Sequence, residues 1–203
     1  MKENRIKKLE ILGESRFLSL FDATYINKGG KEKHWTIASR KSYDKLKEKY
    51  FGSKEDSLDA VVIAAYHEES GKLVLIKQFR IPIDDYVYEL PAGLIDPNEN
   101  EKSTIGRELR EETGLELLEV KEELSLKRGY MSPGMTDESA ALIYCTCKGE
   151  ITNKFLEEDE DIHAFMVSPK EATELLKSGG KMDMKLAVIL KSFSILGEKM
   201  FRE

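Results

Sequence analysis

Residues Gly93 to Leu115 read GLIDPNENEKSTIGRELREETGL, and the acids in that stretch govern how the rest of the chain is read. Glu101 to Thr113 has the pattern of a helix, with Ile105 and Leu109 marking an apolar face and Gly114 supplying the stop. On that helix Glu108, Glu111 and Glu112 fall at i, i+3 and i+4, so they project from one face. Adjacent carboxylates repel, and the helix gains nothing from the arrangement alone. A hard divalent cation removes the repulsion and prefers oxygen ligands. An acidic run of this kind is also what a solvated helix face looks like, so the spacing of the flanking residues has to carry the distinction.

Working outward, the chain has 203 residues, 40% of them apolar, enough for one core domain with a modest extension. A net charge of −6 argues against a nucleic-acid backbone as the main partner. It leaves small anionic substrates open, because a bound cation inverts the local charge. The longest apolar run, Ala60 to Tyr66, is far too short to cross a bilayer, and the opening MKENRIKKLE has no apolar stretch of the secretory kind. The expected location is therefore the cytoplasm, with no membrane partner. Cys145 and Cys147 lie two apart on a strand and are expected as free, core-facing thiols.

No internal repeat or low-complexity linker interrupts the chain. Residues 16–26 and 34–39 read as two strands joined at Asn27-Lys28-Gly29-Gly30. Lys41 to Phe51 is charged and fits either helix or loop. Asp59 to Tyr66 and Lys72 to Phe79 form a second strand pair, the first of them apolar on both faces as a buried strand requires. A short strand covers Tyr86 to Leu90, and further strands fall near 117–128, 139–148 and 163–167. Pro169 to Lys177 and Met184 to Lys199 read as helices. This mixed order predicts an α+β chain, a sandwich of helices and sheet. Residues 1–55 would be a small N-terminal antiparallel β extension and residues 56–203 the main domain.

The spacing from 93 to 115 resembles the Nudix signature G-x5-E-x7-R-E-U-x-E-E-x-G-U, where U is a bulky aliphatic residue. Gly93, Glu99, Arg107, Glu108, Leu109, Glu111, Glu112, Gly114 and Leu115 match every fixed position. The resemblance implies the Nudix α/β/α sandwich and a divalent cation, Mg²⁺ with Mn²⁺ as the alternative. Glu108, Glu111 and Glu112, with the Ala92 carbonyl, match the metal ligands, and Glu111, Glu112 and Arg107 the catalytic core. Arg107 would pair with Glu99, while Gly93, Glu99 and Gly114 shape the motif. Gly106, where many members carry alanine, costs roughly 1 kcal/mol of helix propensity.

Flanking segments resemble the ADP-ribose pyrophosphatase subgroup. In Gln78-Phe79-Arg80, Arg80 would reach a diphosphate, which suits its planar fork; the alternative is that it neutralises Asp84 or Asp85. Glu89, before Leu90-Pro91-Ala92-Gly93, would lie near the metal. Ser132 to Glu138 (SPGMTDE) resembles a loop that borders the sugar, making Glu138 a substrate-contacting candidate. The five acids from Glu157 to Asp161 lie where the subgroup has a mobile loop with a catalytic glutamate. Glu160 is the candidate, with Glu157 and Glu158 as alternatives. Trp35, the sole tryptophan, and Arg40 would hold the base and diphosphate; Trp35 is otherwise a core or dimer-interface residue.

The resemblance implies hydrolysis of ADP-ribose to AMP and ribose 5-phosphate by a cytoplasmic homodimer. UDP- or GDP-sugars are the rival substrates. A catalytically silent nucleotide-sensing domain and an isomerase on the same fold are the other readings, and the intact Glu108, Glu111 and Glu112 disfavour the silent one.

Overall fold

A computed structural model describes residues 4–52 and 56–202. The chain divides into two units, Met1–Asp59 with Gly129–Ala140, and Ala60–Arg128 with Ala141–Glu203.

In the first unit a three-stranded antiparallel sheet runs β1 (Ile6–Glu14), β2 (Ser19–Ile26), β3 (Glu32–Ser39). The β2–β3 connection forms because the Asn27 side chain accepts from the Gly29 and Lys31 N–H groups at 2.9 and 3.0 Å, an Asx turn. Gly30 completes it at φ 74°, a left-handed conformation that suits glycine. The expected hairpin is present, and β1, a strand the charged opening did not announce, pairs along its edge. The 41–51 segment is a helix, α1 (Tyr43–Phe51), capped by the Ser42 side chain. Its Leu46 packs with Leu9, Phe21 and Ala23 in a small core. Phe21 is thus buried, while Phe17, Leu18, Leu20 and Trp35 are exposed.

The second unit is built on a mixed sheet ordered β11-β5-β4-β10-β8, with β6 on β5, β7 on β4 and β9 on β10. Its strands are β4 (Ala60–His67), β5 (Lys72–Arg80), β6 (Asp85–Glu89), β7 (Ala92–Leu94), β8 (Glu116–Val120), β9 (Leu126–Tyr130), β10 (Ser139–Lys148) and β11 (Ile162–Val167). Every residue from Val61 to Ala65 is buried, so β4 needs cover on both faces. The helix α2 (Glu101–Thr113) packs against β4, β7, β8 and β11. The C-terminal helix α4 (Met184–Leu196) and the 3₁₀ turn after it bring Phe193 and Phe201 onto Tyr66 of β4. A further helix, α3 (Pro169–Lys177), joins α4 and β11. The 117–128 stretch is two strands, β8 and β9, separated by a 3₁₀ turn at Glu122–Leu124. The last helix stops at Leu196, where Gly197 turns to φ 54°. Cys145 and Cys147 are free and buried. Among the described residues no helix is long and apolar enough to cross a membrane.

Candidate active site

The N-terminus of α2 is fixed by a reciprocal cap in which Asn100 and Ser103 each accept from the other's backbone N–H, an arrangement that stabilises a helix end by about 1 kcal/mol. Its C-terminus turns at Gly114, φ 79°, where a Cβ would lie 2.3 Å from Thr152 Cγ2 and 2.8 Å from its amide nitrogen. With both ends set, Ile105 and Leu109 sink into the core, and Glu108 and Glu112, one turn apart, share a buried face.

Arg107 ties loop to helix. Its guanidinium donates to both carboxylate oxygens of Glu99 at 2.9 Å, to the Leu94 carbonyl at 3.2 Å, to Glu108 at 2.7 Å and to Glu111 at 2.9 Å. The expected Arg107–Glu99 pair is therefore present, with Thr104 adding its hydroxyl to Glu99 at 2.9 Å. These bonds push the Glu99 carboxyl down to about 2. Burial pushes Glu108 upward against the opposing pull of Arg107. Burial pushes Glu112 far upward, with the charges of Glu108 and Glu160 adding to it; the Ala92 N–H, donated at 2.9 Å, and Arg80 work the other way.

Among the described residues no three acid, histidine or cysteine side chains gather closely enough to hold a metal ion. Arg107 holds Glu108 and Glu111, and the Ala92 N–H holds Glu112; of the three acids, Glu108 and Glu112 are the buried pair on one helix face. That set fits a hard divalent ion: all donors are oxygen, and two buried anions lacking full compensation call for positive charge.

Arg80 grips Glu89 with two hydrogen bonds of 2.8 and 2.7 Å. Asp85 instead pairs with Lys181 at 2.7 Å, so Arg80 is directed at Glu89 rather than at its acidic neighbours. The Glu160 carboxylate is folded back, accepting the Glu157 N–H at 3.0 Å. Asp161 anchors the end of this acidic turn: its carbonyl accepts from Phe79 N–H at 3.1 Å and its carboxylate accepts the Tyr86 hydroxyl at 2.5 Å. Nothing in the sequence marked Tyr86 for this contact. Two hollows flank the helix acids. One of about 480 Å³ is lined by Gly106, Arg107, Arg110, Glu111 and Phe155. The other, about 340 Å³, has Glu112, Thr152 and His163 in its wall.

The remaining sequence candidates sit in the first unit. Trp35 donates its indole N–H to the Gly134 carbonyl at 3.2 Å, and Arg40 pairs with Glu138 at 2.7 Å. Trp35 is 54% exposed, which removes the core-tryptophan alternative.

The NUDIX domain model matches residues 57–186, well over half the chain, and the protein belongs to that family. Its members use divalent metal ions. This is a Nudix hydrolase resembling ADP-ribose pyrophosphatases. The ADP-ribose pyrophosphatase of Bacillus subtilis is 32% identical over 133 residues, 65% of this chain and 70% of that one. A GDP-mannose pyrophosphatase of an Enterobacter strain is 33% identical over 154 residues, 70% of this chain and 76% of that one. A Caenorhabditis elegans protein named as a nudix hydrolase is 42% identical over 98 residues, so this chain spans only 43% of its length. A solved structure of an ADP compounds hydrolase superposes with a TM-score of 0.71 over 96% of this chain and 94% of that one, at 18% identity, which establishes the α+β Nudix fold.

Proposed function

We propose that this enzyme hydrolyses the diphosphate of a nucleoside diphosphate sugar, with ADP-ribose as the preferred substrate and AMP and ribose 5-phosphate as products. The observation that carries the reading is the pair of buried carboxylates, Glu108 and Glu112, on a helix whose electrostatic neighbours are Arg80 and Glu160. Glu108 and Glu112, with Glu111 and the Ala92 carbonyl as auxiliary donors, would hold Mg²⁺ (Mn²⁺ as the alternative), which supplies charge neutralisation on the diphosphate and a more acidic water. Arg80 releases part of its grip on Glu89 to take the diphosphate oxygens bidentately. Arg107 keeps Glu99, Glu108 and Glu111 in register. Glu160 leaves the Glu157 N–H and removes the proton from the attacking water, a role open to it because the helix acids are committed to the metal. Trp35, Arg40 and Glu138 bind the nucleoside end, the indole by stacking on the base.

Relatives acting on ADP-ribose and on GDP-mannose support hydrolysis of nucleotide sugars as a class. The deciding experiment is phosphate release, coupled to a phosphatase, across ADP-ribose, UDP-sugars and GDP-sugars with Mg²⁺ and with Mn²⁺. Fastest turnover of ADP-ribose upholds the proposal; faster turnover of a GDP- or UDP-sugar replaces the substrate and leaves the chemistry intact. The reading of a silent sensor fails on any metal-dependent turnover.

The N-terminal extension is proposed to form a homodimer. Leu20 and Trp35 are exposed on the sheet and Phe17 and Leu18 on the turn leading into β2, an apolar surface that a second copy would cover. A monomer by light scattering at micromolar concentration contradicts this.

A further inference from the structure

The first unit contains a set of buried charges that the proposed chemistry does not use. Lys41 Nζ lies 2.6 Å from Asp59, 3.4 Å from Asp137 and 3.5 Å from Asp56. Lys49 Nζ, on α1, lies 2.6 Å from Asp56 and 2.8 Å from Asp137. The Lys41 side chain is only 6% exposed and that of Asp137 only 9%. Taking this many ions out of water is expensive, and removing one partner strands the others. Such a network therefore holds its members in one arrangement.

What it holds is the Ser132–Glu138 loop. Asp137 is pinned by both lysines. Ser139, two residues on, gives its N–H and hydroxyl to Asp59 at 2.9 and 3.2 Å. Glu138 stands between these two fixed residues and faces Arg40, itself next to Lys41. Further back the loop is stitched to β3, with Ala38 N–H donating to the Met135 carbonyl at 2.9 Å and the Trp35 indole to Gly134 at 3.2 Å. Each member of the Arg40–Glu138 pair thus adjoins a buried ion in the chain, Lys41 after Arg40 and Asp137 before Glu138.

We propose that Lys49 is a positioning residue which, through Asp137, fixes the Ser132–Glu138 loop and thereby sets the affinity for the nucleoside diphosphate sugar. The anchoring stands on this geometry alone; the consequence for affinity rests on the reading above in which Trp35, Arg40 and Glu138 bind substrate. Lys49 touches none of those three.

The chain's single tryptophan supplies the probe. Trp35 gives one indole N–H resonance, and its partner is the loop carbonyl of Gly134. The test compares Lys49→Met, which keeps length and loses charge, with Lys49→Arg. In Lys49→Met the indole resonance should shift towards that of free indole and exchange faster with solvent, while Lys49→Arg leaves it in place. KM for ADP-ribose should rise about tenfold with kcat within about threefold of the parent, the pattern of lost binding rather than lost chemistry. An unmoved indole resonance overturns the anchoring, whatever KM does. A shifted resonance with unchanged KM upholds the anchoring and overturns its link to affinity. Should Lys49→Met fail to fold, Asp137→Asn, isosteric and uncharged, is read by the same two criteria.

Discussion

A side chain at Gly93 and the carboxylate of Glu108 cannot share the space between them: a Cβ at position 93 would stand 1.8 Å from the Glu108 carboxyl carbon. The glycine is the seat of the acid. Gly93→Ala is therefore expected to displace the far end of Glu108 and leave most of the packing alone. Because a misplacement of about 1 Å in a reacting group can cost a hundredfold, turnover should fall by about that much. Stability should fall by only about 1–3 kcal/mol, the cost of a local overpacking. Thermal melts and steady-state kinetics on the one variant separate the two; normal turnover would remove Glu108 from the chemistry.

Glu160 and Glu157 are bonded to each other twice, the Glu160 carboxylate accepting the Glu157 N–H and the Glu160 N–H donating to the Glu157 carbonyl, so Glu157 takes part through its backbone alone. Glu160→Gln should lower kcat by about 10²–10⁴-fold, the range for loss of a general base, with little change in KM. Glu157→Gln keeps the backbone donor and should remain near parental activity. Equal losses in the two variants would shift the role along the loop.

Acid sensitivity should be traceable to the start of α3. Glu171 accepts the Ser168 N–H at 2.7 Å and pairs with Lys72 at 3.3 Å, which pushes its carboxyl down from 4.5 to about 2. A folded value below the unfolded one gives stability that is present above the ordinary carboxylate range. That stability is lost as pH falls from about 4.5 through about 2. Urea unfolding at pH 6 and pH 3 should show a smaller difference for Glu171→Gln than for the parent. An identical difference would place the acid sensitivity elsewhere.

The two cysteines should be silent in the native protein. Burial pushes the Cys147 thiol up to about 12 and Cys145 higher still, and only the thiolate reacts. Ellman's reagent at neutral pH is expected to label neither until guanidinium is added, and then both. Rapid labelling of one native thiol would mean that the sheet opens at β10.

The helix acids and Arg107–Glu99 were legible because a fixed spacing in sequence becomes a fixed face on a helix. The hairpin at Asn27–Gly30 was legible because its turn chemistry is local. Strand β1 was not, since its lysines and glutamates alternate too weakly with Ile6, Leu9 and Ile11 to mark a buried face, and only pairing with β2 reveals it. Nor was the grip of Lys49 on Asp137, because a lysine on a charged helix looks the same whether it faces water or a buried acid. Tyr86 and Asp161 lie 75 residues apart, and no local pattern couples them.

The first unit takes residues 129–140 from far along the chain. Asp137 is synthesised 88 residues after Lys49. On the ribosome the opening sheet and α1 must wait, with their ion cluster incomplete, while β4 to β9 are made. The native order of events is therefore interleaved: residues 129–140 complete the first unit before most of β10 and all of β11, which the second unit's sheet needs, have been made. Contacts this distant in sequence slow folding, and the exposed Phe17, Leu18 and Trp35 of the waiting segment are the surface a chaperone would meet.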